Sequence, residues 1–131
     1  MSKPMYEDAN ILLQTAALMV NPTYQEASSF VLSPRFVLDY EPFVAKFPRG
    51  SHEFTLARRA CAFYETLGTL WKHGLFHEDL LFDWLSISYM WNRLKGFALG
   101  LRSEVGSEAL YEHFEAMAKA EAEWSKRKAS D

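Results

Sequence analysis

The sequence predicts an all-α fold, a single-domain helical bundle of five or six helices, with short Pro-broken helices in the N-terminal third. Two observations carry that prediction. Apolar residues recur at spacings of three and four through long windows, the period of an amphipathic helix. No internal repeat, low-complexity tract or linker divides the chain, so residues 1–131 read as one domain.

Taken in order, the first window is YEDANILLQTAALMV, Tyr6 to Val20. Ala9, Leu12, Leu13, Ala16 and Val20 fall at helical spacing, and Glu7 and Asp8 suit the electropositive N-terminus of a helix. Asn21-Pro22 closes this helix and opens the next, Asn21 as N-cap and Pro22 at the first helical position. Ser33-Pro34 repeats the signal. The run from Phe30 to Phe47 is rich in β-branched and aromatic residues. Pro34, Pro42 and Pro48 would interrupt a strand ladder, however, and no Asn-Gly or Asp-Gly turn joins its halves. Short helices broken by prolines are the expectation there.

Glu53 to His73 carries one stripe of Ala57, Ala60, Tyr64, Leu67 and Trp71 and an adjacent one of Leu56, Phe63 and Leu70. A helix apolar around so much of its circumference belongs at the centre of a bundle. Asp79 to Leu101 reads as one further long helix, with Leu80, Trp84, Ile87, Trp91, Leu94, Ala98 and Leu101 along it. Ser86 and Ser88 interrupt its apolar run as surface or kink positions. The last helix spans about Ser107 to Lys126, with Leu110, Phe114, Met117 and Trp124 facing inward. Glu115–Lys119 and Glu123–Arg127 are helix-favouring i,i+4 pairs. Residues from about 124 to 131 are expected to fray.

A chain of 131 residues buries roughly two-thirds of its unfolded surface and needs neither disulfide nor metal to fold. An apolar content of 49% and an aromatic content of 15% exclude a disordered chain. Ten Phe, six Tyr and four Trp suggest more aromatic surface than one small core hides, which points to a partner. The net charge of −3 offers no general attraction to nucleic acid or to an anionic membrane. Arg58–Arg59 and Lys126–Lys128 are the basic clusters. The single cysteine, Cys61, fits a reducing cytoplasm. The N-terminus lacks a signal-peptide pattern, and no window reaches about 18 uninterrupted apolar residues. The expectation is a cytoplasmic protein that spans no membrane and binds no nucleic acid.

HGLFHED, His73 to Asp79, poses the question of an active centre. On a continuous helix His73 and His77 would share a face as metal ligands. Gly74 argues for a left-handed C-cap instead, with Leu75 folding back and Glu78 and Asp79 at the next N-terminus. The segment is then a corner between helices, and no metal is expected. Glu65 lies beside the apolar stripes of the central helix, and a buried carboxylate needs a partner. Arg102 is the preferred one, Arg58 another; solvent exposure and a catalytic role are the other readings. Cys61 reads as a small buried apolar residue. With no nucleophile motif, phosphate loop or paired CxxC, no catalytic residue or cofactor is expected.

FYETLGTLWKHGLFHEDLLFDWL, the tryptophan of YMWNRL, the arginine of LGLRSE and the closing LYEHFEAMA together resemble a bacterial family of uncharacterised small helical proteins, domain of unknown function 4760. The resemblance covers about the last three-fifths of the chain and, more loosely, the first helix. It implies a helical domain with no activity attached; some members carry an N-terminal membrane helix. Glu65, Gly68, Gly74, Trp91, Arg102, Phe114 and Glu115 match its motif and look like packing and capping positions. The functional expectation is a non-enzymatic interaction module that self-associates as a homodimer. The alternative is a small-molecule binder whose apolar pocket is lined by Trp71, Trp84 and Trp91 near Glu65 and Arg102.

Overall fold

The computed structural model describes residues 2–130, which form seven α-helices and, among the described residues, no strand. They are α1 (Tyr6–Met19), α2 (Pro22–Val31), α3 (Tyr40–Lys46), α4 (His52–Lys72), α5 (Glu78–Trp84), α6 (Ile87–Val105) and α7 (Glu112–Ser130). The helices pack as one domain around α4, which lies against α2, α6 and α7, while α3 rests on α6. α1 sits at the periphery against α2 and α5.

Local chemistry accounts for several boundaries. The Asp8 carboxylate accepts from the Met5 N–H at the start of α1. Asn21 Oδ1 accepts from the Thr23 N–H at 2.8 Å, and Pro22 fills the first helical position of α2. Ser51 Oγ accepts from the Phe54 N–H and starts α4. Gly74, at φ +75°, ends α4: the Leu75 N–H donates to the Leu70 carbonyl and the Gly74 N–H to that of Trp71. That pair of bonds is a Schellman motif, which asks for a residue that tolerates positive φ.

Three expectations need correction. Asp79–Leu101 is two helices, not one, which takes the bundle to seven helices where five or six were expected. The chain turns extended at Leu85 (φ −116°, ψ 131°), and α6 begins after Ser86. Leu85 is buried at the break, and the Ser88 N–H there finds an acceptor on α7. Ser33-Pro34 opens no helix: it forms a turn, with the Phe36 N–H donating to the Ser33 carbonyl. Finally, α7 starts at Glu112 and runs on to Ser130, through the segment expected to fray, of which Asp131 lies outside the described residues. Trp124 anchors that last stretch by donating to Asp79 Oδ1 at 2.7 Å. The same bond holds the Asp79 carboxyl below its ordinary range.

The aromatic load turns inward. Phe30, Phe36, Phe43, Phe47, Phe54 and Phe97 form one buried cluster, with Phe43 and Phe54 each 5.1 Å from Phe97 between ring centroids. Tyr64 stacks on Phe114, and Trp91 meets Phe114 edge-on, both at 5.0 Å. All ten Phe are buried or half-buried. Exposed apolar residues occur on several elements, Tyr89 on α6 among them, and α1 with its C-cap carries Tyr6, Leu13, Leu18 and Val20, of which Leu13 is 67% exposed and Val20 73%. Of the residues expected along the apolar stripe of α1, Leu13 and Val20 face outward, whereas Ala9, Leu12 and Ala16 are half-buried. Ile11, Leu12, Thr15 and Met19 are the residues α1 turns toward the rest of the chain.

Candidate functional site

The polar interior is built from side chains of the long helices that reach the exposed backbone at the ends of other helices. A helix terminus leaves N–H or C=O groups without partners, and a buried terminus must find them elsewhere. Glu65, in the middle of α4, meets the start of α7. Its Oε1 accepts from the backbone N–H of His113 at 3.0 Å and of Phe114 at 2.9 Å. Its Oε2 lies 2.8 Å from His113 Nδ1. A carboxylate at a helix N-terminus is favoured by charge as well as by hydrogen bonding. Close approach is possible because Gly68 stands one turn on: a Cβ there would sit 2.6 Å from the His113 backbone C and O.

Glu121 does the same for α6. It is 4% exposed, and its Oε1 accepts from both the N–H and the hydroxyl of Ser88 at 2.9 Å, while Ser125 donates to Oε2. Arg93 serves the opposite pole of α2, donating to the carbonyls of Val31 and Ser33 with its ring-facing guanidinium 5.5 Å from the Phe36 centroid. Arg102 ties the α6–α7 connection: Nε donates to the Leu110 carbonyl at 2.9 Å and Nη1 to Glu115 Oε1 at 3.1 Å.

Glu65 and Arg102 therefore do not pair, contrary to the expectation. The glutamate takes His113 and the arginine takes Glu115, each closer along the α7 surface. Arg102 Nη2 is buried without a partner. The three tryptophans differ in surroundings. Trp91 is core, Trp71 donates to Glu78 Oε2 at 2.9 Å, and Trp84 stands 36% exposed on α5. The corner reading of HGLFHED holds in its backbone but not in every side chain. His73 is the C-cap of α4, Leu75 is exposed, and His77 Nε2 meets the Ser2 carbonyl at 2.6 Å.

Chemically the Glu65–His113 pair is committed. A carboxylate accepts, so His113 Nδ1 carries the proton toward Glu65; the other ring nitrogen lies 3.5 Å from Glu112 Oε1. Thr69 Oγ is 3.4 Å from Nδ1, but its own proton goes to the Glu65 carbonyl at 2.9 Å. Among the described residues neither ring nitrogen faces a hydroxyl whose proton is free to transfer. Cys61 is fully buried and its thiol is pushed up by desolvation, with Glu65 adding to the effect, so it stays protonated. Tyr111, at φ +60° in the turn before α7, has its hydroxyl pushed up to about 12, chiefly by burial. Among the described residues no group of three His, Cys, Asp or Glu is placed to hold a metal ion.

His113, Glu121 and Arg93 are the residues that sequence reasoning missed. Glu121 and Arg93 act on backbone 33 and 62 positions away, and the His113 ring meets the Glu65 carboxylate 48 positions away, contacts of which local spacing carries no trace. A buried Glu on the apolar side of α7 was the one available signal, since Glu121 falls four positions from Met117 on the inward stripe.

The fold and this site define a class: a small all-α domain whose interior charges are structural clamps on helix ends. The chain belongs to the family described as Domain of unknown function (DUF4760), whose model matches residues 6–124. No curated protein and no solved structure matches it. Among the described residues no helix is long and apolar enough to cross a membrane.

Proposed function

We propose that this protein is a non-enzymatic helical interaction module that works as a self-associating, cytoplasmic homodimer. The observation that carries the reading is the outer face of α1. The helix fully buries only Thr15, yet presents Leu13 and its C-cap Val20 to solvent on one face, with Tyr6 89% exposed on the same face at its start. A helix gains most of its stability by covering an apolar face, and contiguous exposed apolar residues on a small domain mark an interaction site. A closed two-fold dimer is the commonest way for one surface to satisfy itself. The commitment of Glu65, His113 and Cys61 to structural roles supports the non-enzymatic part, and a free thiol suits a reducing compartment.

The test is native mass spectrometry of untagged protein purified without chelator, with light scattering across a hundredfold concentration range. A dimer free of extra mass is the expected result. A monomer at every concentration overturns self-association, and a monomer that retains a reproducible adduct moves the small-molecule reading to first place.

A further inference from the structure

We infer that two copies of this chain pair α1 against α1 in antiparallel fashion, with the two-fold axis passing at Leu13. The inference rests on the self-association reading and specifies its surface, orientation and register. Tyr6, Asn10, Leu13, Ala17 and Val20 follow one another at intervals of four, three, four and three, the 3.5-residue period of a coiled-coil seam. All five are exposed, while Ile11, Leu12, Thr15 and Met19 occupy the opposite side of the helix. The seam is thus the face α1 turns away from its own domain.

The pattern is self-complementary in one direction only. With Leu13 on the axis, Leu13 meets the partner's Leu13, Asn10 meets the partner's Ala17, and Tyr6 meets the partner's Val20. Each layer sets a large group against a smaller one or two leucines together. A parallel pair would set Asn10 on Asn10 and leave Ala17 on Ala17 as a gap. Seams are expected to interdigitate large against small, and a gap of that kind costs stability.

Charge agrees with the same alignment. The only charged residues on α1 are Glu7 and Asp8 in its first turn, so no like charges meet along the seam. The other end of the helix opens on a groove that includes Leu18, Asn21, Arg59 and Phe63. Antiparallel alignment brings the partner's Glu7 level with Met19, two residues short of Asn21 at the rim of the groove that holds Arg59. The Arg59 guanidinium is otherwise engaged only loosely, 3.7 Å from the exposed Glu26. An anionic membrane is a poorer occupant, because residues 4–34 contain no Lys or Arg.

Disulfide trapping in the full chain tests the orientation, since Cys61 is buried and gives no background. Under mild oxidation Leu13→Cys should give a covalent dimer in high yield. Tyr6→Cys mixed with Val20→Cys should cross-link, whereas Tyr6→Cys alone should not, its two copies lying roughly 21 Å apart along the seam. In parallel, Leu13→Glu should raise the dimer dissociation constant roughly a hundredfold or more by placing two carboxylates together, with circular dichroism unchanged. Homotypic cross-links at Tyr6→Cys, or a Leu13→Glu protein that remains dimeric, would overturn the α1 geometry while leaving self-association intact. A wild-type monomer at all concentrations would overturn both.

Discussion

Glu65 illustrates how much one side chain does when it reaches unsatisfied backbone. Two amides of α7 and one imidazole depend on its two oxygens. Glu65→Ala removes the acceptors of all three hydrogen bonds at a half-buried position and is expected to lower stability by about 2–3 kcal/mol, read from urea denaturation. Glu65→Gln keeps an oxygen for the amides and should cost about 1 kcal/mol. Equal losses for the two would mean that the ion pair, not the cap, is what matters. Tyr111 supplies a pH dependence. Its hydroxyl titrates near 10 when unfolded and is raised to about 12 in the fold. Between those values the unfolded chain has lost a proton that the folded one keeps, so this contribution to stability is complete below pH 10 and disappears as pH rises through about 12. Tyr111→Phe should flatten the alkaline decline of the urea midpoint; an unchanged slope would assign that decline to other groups.

At the scale of elements, the packing of α4 on α7 sets a hard limit at Gly68. Alanine there gains helix propensity of about 1 kcal/mol, but its Cβ would sit 2.6 Å from backbone atoms of His113 that cannot rotate away. The clash wins because overpacking against backbone costs about 1–3 kcal/mol and also draws Glu65 off the α7 amides. Gly68→Ala is therefore expected to lower the urea midpoint, and a stabilised variant would show that α7 shifts freely. The α5–α6 break was only partly legible. Ser86 and Ser88 stood out as kink positions within an apolar run, but Leu80, Trp84 and Ile87 kept the helical period across it. What separates the two helices is Glu121 receiving the Ser88 amide from another element, a contact no window around Ser88 contains.

Across the whole molecule, stability is unevenly distributed. α4 runs through the core and buries Leu56, Ala57, Ala60, Cys61, Tyr64 and Leu67, whereas α1 has no fully buried apolar residue. Hydrogen exchange should show α1 amides opening with a far lower free energy than those of α4, which should exchange only on global unfolding. On the proposed α1 pairing, protection of α1 should also rise with protein concentration. Equal protection of the two helices in dilute protein would mean that α1 is held by the domain alone.

Periodicity by itself determined that the chain is all-α, that residues 53–73 form its central helix, and that Asn21-Pro22 and Gly74 are helix ends. Those features depend on neighbours within a few residues, whose geometry the backbone imposes locally. Glu115–Lys119 is likewise a local pair, 3.6 Å apart as the i,i+4 spacing requires. The tertiary structure alone decided that Glu65 takes His113, that Arg102 takes Glu115, and that Leu13 and Val20 face outward. Partner choice for a buried charge depends on which helix end arrives beside it. Which stripe of α1 is covered depends on where α2 and α5 leave room. Both are set by packing between residues far apart in the chain, which spacing along the chain does not encode.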